Sequence, residues 1–128
     1  MNVYEELQQA ILKNDEKEIN RLKHRILTGR DDTLDRAMYE NIKKKTLGRE
    51  IRNIINKDLD TLDAMDCMTT CTSLITHNII EACINDRDLD DYPVSELYVA
   101  LGAFINRGPE DGKVAVKRLV EDRYKWFI

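Results

Sequence analysis

Aspartates spaced to hold a metal are the first chemistry this sequence suggests. Asp60, Asp63 and Asp66 recur three apart, and Asp32 with Asp35 makes a second such pair. Acidic pairs on facing helices can hold Mg2+ against a phosphate, as in all-helical nucleotide pyrophosphatases. Such sites place their carboxylates near mid-helix. Both groups here sit where helices begin, and there capping and the positive end of the helix dipole account for them. A small Mg-dependent nucleotide hydrolase is therefore an alternative reading, and the leading expectation is no metal and no cofactor.

Asp86, Asp88 and Asp90 have the alternate spacing of a calcium loop. Asp91 then stands where the turn glycine belongs and Leu97 where the bidentate glutamate belongs, with Glu96 one residue early. The run reads instead as an acidic patch facing a partner. His77 and Glu81 are four apart, a helical spacing for metal ligation, but Glu-x-x-His is absent and the only other histidine is His24. His77 is expected at a helix surface or satisfied by a neighbour. Cys67, Cys71 and Cys83 fit neither a Cys-x-x-Cys nor a zinc spacing, and read as reduced thiols packed in a core.

Two further clusters stand out. Lys43, Lys44 and Lys45 with Arg49 and Arg52 form the one basic cluster, the basis for a nucleic-acid-binding regulator as a further alternative. No aromatic residue is interleaved, and Tyr39 stands alone nearby, so the pattern argues against a nucleic-acid partner. At the other end, Tyr124 and Phe127 continue an inward stripe, which leaves Trp126 as a candidate interface aromatic.

The elements that position these residues are helical. The chain has 128 residues, fitting one domain, and such a length buries roughly two-thirds of the unfolded surface without help from disulfides or metal. Charged residues are 34% and hydrophobic ones 42%, which argues against disorder, and five Gly with two Pro leave long uninterrupted stretches. Leu62–Ile84 lies within the longest segment without Gly, Pro, Lys or Arg. Its apolar residues, among them Leu62, Met65, Met68, Ile75 and Ile79, recur at steps of three or four. Asp63, Asp66, Thr70, Ser73, His77 and Glu81 form one polar seam. This predicts a central helix over about 61–85, capped by Asp60 or Thr61.

Around it the pattern predicts six more helices. Tyr4, Leu7 and Ile11 mark the first, and a break at Asn14–Asp15 follows. The second has Asp15 and Glu18 at capping-box spacing, Ile19, Leu22 and Ile26 inward, and Gly29 as its stop. The third carries Leu34, Met38 and Ile42 after a cap at Asp31–Thr33. The apolar phase then slips by five residues to Leu47, beside Gly48, which predicts a break or kink before a fourth helix with Ile51, Ile54 and Ile55 inward. The sixth follows Pro93 and carries Val94, Leu97, Tyr98, Leu101, Phe104 and Ile105. The seventh runs from about Glu110 to Trp126 with Val116, Leu119 and Val120 inward. The expected fold is a single-domain all-α bundle of six to seven helices around the central one.

The net charge of −4 is unevenly spread: residues 1–57 carry +3, residues 58–92 carry −8 and residues 93–128 carry +1. Acidity at both ends of the central helix disfavours nucleic acid there and suits a basic protein. The absence of a signal-peptide pattern and of a run of roughly 18 apolar residues gives a cytoplasmic, membrane-free expectation. The leading functional expectation is a non-enzymatic protein-binding module: an inhibitor, immunity protein or adaptor. Its partner surface is placed at Asp86, Asp88, Asp90, Asp91, Tyr92 and Trp126.

Overall fold

The computed structural model describes residues 3–27, 43–85 and 87–125. Among them the elements are all helical: α1 (Val3–Leu12), α2 (Glu16–Leu27), α3 (Gly48–Asn56), α4 (Ala64–Ile84), α5 (Val94–Asn106) and α6 (Pro109–Arg123). A π-helical turn, Lys43–Leu47, leads into α3, and a 3-10 turn, Leu89–Asp91, precedes α5. α4 touches each of these other helices and both turns, so the expected bundle around a central helix is the architecture. No described helix is long and apolar enough to cross a membrane. The expected third helix with its cap at Asp31, Asp32 and Thr33, Asp35, the Gly29 cap, Asp86, Trp126 and Phe127 lie outside the described residues. So do the side chains of Ile26, Lys43, Lys44, Cys83 and Ile84.

α4 begins three residues later than the sequence suggests. Asp63 adopts an extended conformation (φ −82°, ψ 130°) and its carboxylate accepts from the Met65 amide at 2.8 Å. Asp60 and Thr61 lie instead in a turn in which the Thr61 amide and hydroxyl both donate to Asp58 O at 3.0 Å. With its own residues already engaged, that turn leaves Asp63 as the cap.

From Thr70 to Ile80 every residue of α4 is buried. The middle of the polar seam, Thr70, Ser73 and His77, therefore runs into the bundle, while Asp63 and Asp66 at its start stay exposed, and Met65, placed inward by periodicity, is 66% exposed. The helix tolerates this because its polar side chains are small and find partners. The Thr72 hydroxyl donates to Thr69 O and that of Thr76 to Thr72 O, at 2.9 and 2.8 Å. The Cys71 thiol donates to Leu97 O, and Asn78 donates to the Tyr124 hydroxyl at 2.8 Å. Leu74, Ile75, Ile79 and Ile80 fill the space between. Each such side chain contributes roughly 1.5–3 kcal/mol of burial.

Local signals set the surrounding helices. Asn14, at φ 53°, separates α1 from α2, and the Asp15 carboxylate accepts from the Glu18 amide at 3.2 Å. The Glu18 carboxylate turns to Arg21, so half of the capping box forms. The five-residue phase slip before Leu47 is absorbed by the π turn, which holds one residue more per turn than an α-helix. Leu47 stays helical (φ −64°, ψ −43°), and no break occurs at Gly48. Gly108, at φ 103°, and Pro109 turn the chain from α5 into α6. Those two helices then pack so closely that a Cβ on Gly112 would overlap the Phe104 ring.

Candidate partner-binding surface

The acidic run after α4 becomes a pinned turn. The Asp91 amide donates to Asp88 O at 3.1 Å and the Tyr92 amide to Leu89 O at 3.0 Å. Leu89 and Tyr92 are partly buried against the hydrophobic core. Those two anchors leave Asp88, Asp90 and Asp91 exposed, with Arg87 the one exposed cation in the same turn. The carboxylates thus stand on a scaffold fixed from beneath. The Tyr92 ring is half committed to holding the turn down, which leaves only part of it for a partner.

Under the turn lies a cleft of about 320 Å3 between the end of α4 and the end of α6. His77, Glu81, Asp91, Tyr92, Arg123 and Tyr124 line it. The pair at His77 and Glu81 therefore meets the acidic turn and the C-terminal aromatic Tyr124, which the sequence treated as separate features. His77 is buried, and both it and Glu81 have interaction partners. Burial pushes the Tyr124 hydroxyl up to about 12, against the opposing effect of the hydrogen bond that Asn78 donates to it, so it stays neutral. Among the described residues no group of three or more His, Cys, Asp or Glu side chains could hold a metal ion.

The other constellations are dispersed. Asp63 is spent on capping, and Asp66 lines a separate polar cleft with Arg49, Glu50 and Thr70. Cys67 and Cys71 are fully buried free thiols. Burial raises both, Cys71 up to about 12, so neither forms a thiolate readily and both serve as core. Lys45, Arg49 and Arg52 are exposed around the start of α3, consistent with a solvated helix surface.

Three features were missed from sequence. Tyr4, Gln8, Glu50 and Ser73 converge from α1, α3 and α4, where Gln8 donates to the Ser73 hydroxyl at 2.7 Å. Burial, reinforced by Glu50, raises the Tyr4 hydroxyl far above its ordinary value. Burial also raises Glu50, with Asp66 adding to it and Ser73 and Arg49 opposing. Tyr4 Oη and Glu50 Oε2 have no hydrogen-bond partner, although Ser73 lies near enough to favour their ionised forms.

Second, Lys117 donates to Ile54 O, Ile55 O and Lys57 O at 2.9–3.2 Å, closing the C-terminal end of α3. Lys113 does the same for Leu59 O and Leu62 O. Lys113 stands three residues before Val116 and Lys117 three before Val120, a phase that marks them as inward despite their charge. Third, α5 presents Val99 and Ile105 to the outside. No family model, no curated protein and no solved structure matches this chain.

Proposed function

We propose that this chain is a small protein-binding module, of the inhibitor, immunity-protein or adaptor kind, whose acidic turn engages a basic surface on its partner. The observation that carries the reading is the pinned acidic turn. Asp88, Asp90 and Asp91 are exposed, while Leu89 and Tyr92 hold their backbone against the core. Like charges held close by folding repel one another, and a basic partner relieves that repulsion. A fixed turn also loses little conformational freedom on binding, and its field speeds the encounter. The net charge of −8 over residues 58–92 extends the same field along the central part of the chain.

The test uses the intact protein as bait in an extract of its native host. The wild type should retain a basic protein at low salt and release it at high salt. The Asp88→Asn/Asp90→Asn/Asp91→Asn variant should retain less of it. With the captured protein purified, the variant should associate more slowly, and its rate should depend less steeply on salt. Equal capture by both proteins, or equal rates with equal salt slopes, contradicts the reading.

A further inference from the structure

Asp66, spaced in the sequence with Asp60 and Asp63, meets a different carboxylate in the fold. Asp66, Thr69 and Thr70 of α4 line an open cleft of about 350 Å3 with Arg49, Glu50 and Asn53 of α3. One turn further along the same face of α4 is Ser73, which is buried, and beside it lies Tyr4 of α1. Apart from the exposed Arg49, every one of these side chains carries oxygen: two carboxylates, an amide and four hydroxyls.

Two carboxylates beside a cleft need no ligand to explain them. What sets this pair apart lies behind Glu50. Tyr4 is 4% exposed and its hydroxyl has no hydrogen-bond partner. Glu50 Oε2, beside it and closed to solvent, has none either. Buried polar groups are almost always satisfied, so two adjacent open ones ask for something that the chain itself does not supply.

That something brings positive charge. Burial and the Asp66 carboxylate hold the Glu50 carboxyl above its ordinary value, and Ser73 and Arg49 oppose them only in part. A cation between Glu50 and Asp66 relieves the repulsion and lets Glu50 ionise. The hydroxyls of Tyr4 and Ser73 then have an acceptor in Oε2, the support that ligating carboxylates usually receive. With no thiol or imidazole lining the cleft, the donors suit a hard cation. Oxygens gathered from two helices fit calcium, which accepts six to eight of them in loose geometry, better than magnesium, which demands a near-ideal octahedron. Two carboxylates make a weak site, with water completing the shell.

We infer that the cleft between α3 and α4 binds a calcium ion through the Glu50 and Asp66 carboxylates, with Tyr4 and Ser73 as positioning residues behind Glu50. The acidic-turn reading does not depend on it.

Thermal melting of the full chain in calcium chloride tests this, with magnesium and potassium chloride at matched ionic strength as comparisons. Calcium at about a hundredfold excess over its dissociation constant should raise the melting temperature of chelator-treated wild type by several degrees. Magnesium at the same concentration should raise it less. By calorimetric titration, Glu50→Gln and Asp66→Asn should each bind calcium about tenfold or more weakly. In chelator Glu50→Gln should melt no lower than the wild type, so its lost response is not a lost fold. Asp88→Asn/Asp90→Asn/Asp91→Asn should respond to calcium as the wild type does. Tyr4→Phe should move the pH below which calcium no longer binds upward, because Glu50 ionises less readily without that hydroxyl, a change that packing alone would not produce. A wild type that melts alike with and without calcium overturns the inference. So does an equal response to all three salts, which is screening alone, or a calcium response that survives Glu50→Gln or vanishes in the acidic-turn variant. An unshifted pH limit in Tyr4→Phe removes Tyr4 from the site.

Discussion

Glu50 holds one carboxylate oxygen buried and without a partner, beside Tyr4 and Ser73. Its folded-state value is raised above 4.5, chiefly by burial. Well below 4.5 the group is protonated both folded and unfolded and does not affect the balance. As pH rises through that value the unfolded chain ionises first, so stability is lost up to the folded value and is then constant. Glu50→Gln should therefore melt higher than the wild type at neutral pH, with the difference closing in acid. Thermal melts across this range check it, and a glutamine variant that melts lower at neutral pH contradicts it. This cluster was not legible in the sequence. Periodicity assigns Tyr4 and Ser73 each to a helix face, but it does not say that α1, α3 and α4 bring them together.

At the scale of elements, two lysines of α6 tie the bundle's segments together. Lys113 is 6% exposed and donates to Leu59 O and Leu62 O, two carbonyls of the link between α3 and α4. Replacing it by methionine keeps the stem and leaves both acceptors without the ammonium. A lost partner for a buried polar group costs about 1–3 kcal/mol, so urea unfolding of Lys113→Met should show a lower midpoint at unchanged slope. An unchanged midpoint would mean that the carbonyls are equally well served by water.

Helix identity was largely legible because few glycines and prolines interrupt the apolar period, and Asn14 and Gly108 mark breaks where they fall. Helix limits were less so. The turn closed by Thr61 on Asp58 O delayed α4 to its cap at Asp63, and the π turn absorbed a slip that looked like a break.

For the whole molecule, the central helix could be read from one stretch, Leu62–Ile84, because only a segment free of Lys, Arg, Gly and Pro suits a position with neighbours on every side. What could not be read is which side of a helix lacks neighbours. Thr70, Ser73 and His77 form a polar seam in the sequence and are inside, while Ile105 continues the apolar stripe of its helix and is outside. Composition fixes how much surface is apolar, and only the packing of other helices decides where it goes. The acidic run is the reverse case: its charge was plain in the sequence, whereas its fixed position depends on Leu89 and Tyr92 reaching the core.

The central claim is that folding holds Asp88, Asp90 and Asp91 together at some expense in stability, and that a partner gives the reason. The competing account is that they support α5, whose first residue is Val94, through its dipole, worth about 0.3–1 kcal/mol for each charge so placed. The two differ in sign. The most direct measurement is the melting temperature of the Asp88→Asn/Asp90→Asn/Asp91→Asn variant against the wild type at low and at high salt. The claim predicts a variant that melts higher at low salt, by a few degrees for about 1 kcal/mol in a domain of this size, with the gap shrinking as salt screens the repulsion. A variant that melts lower at low salt would make the carboxylates part of the scaffold and would contradict the claim.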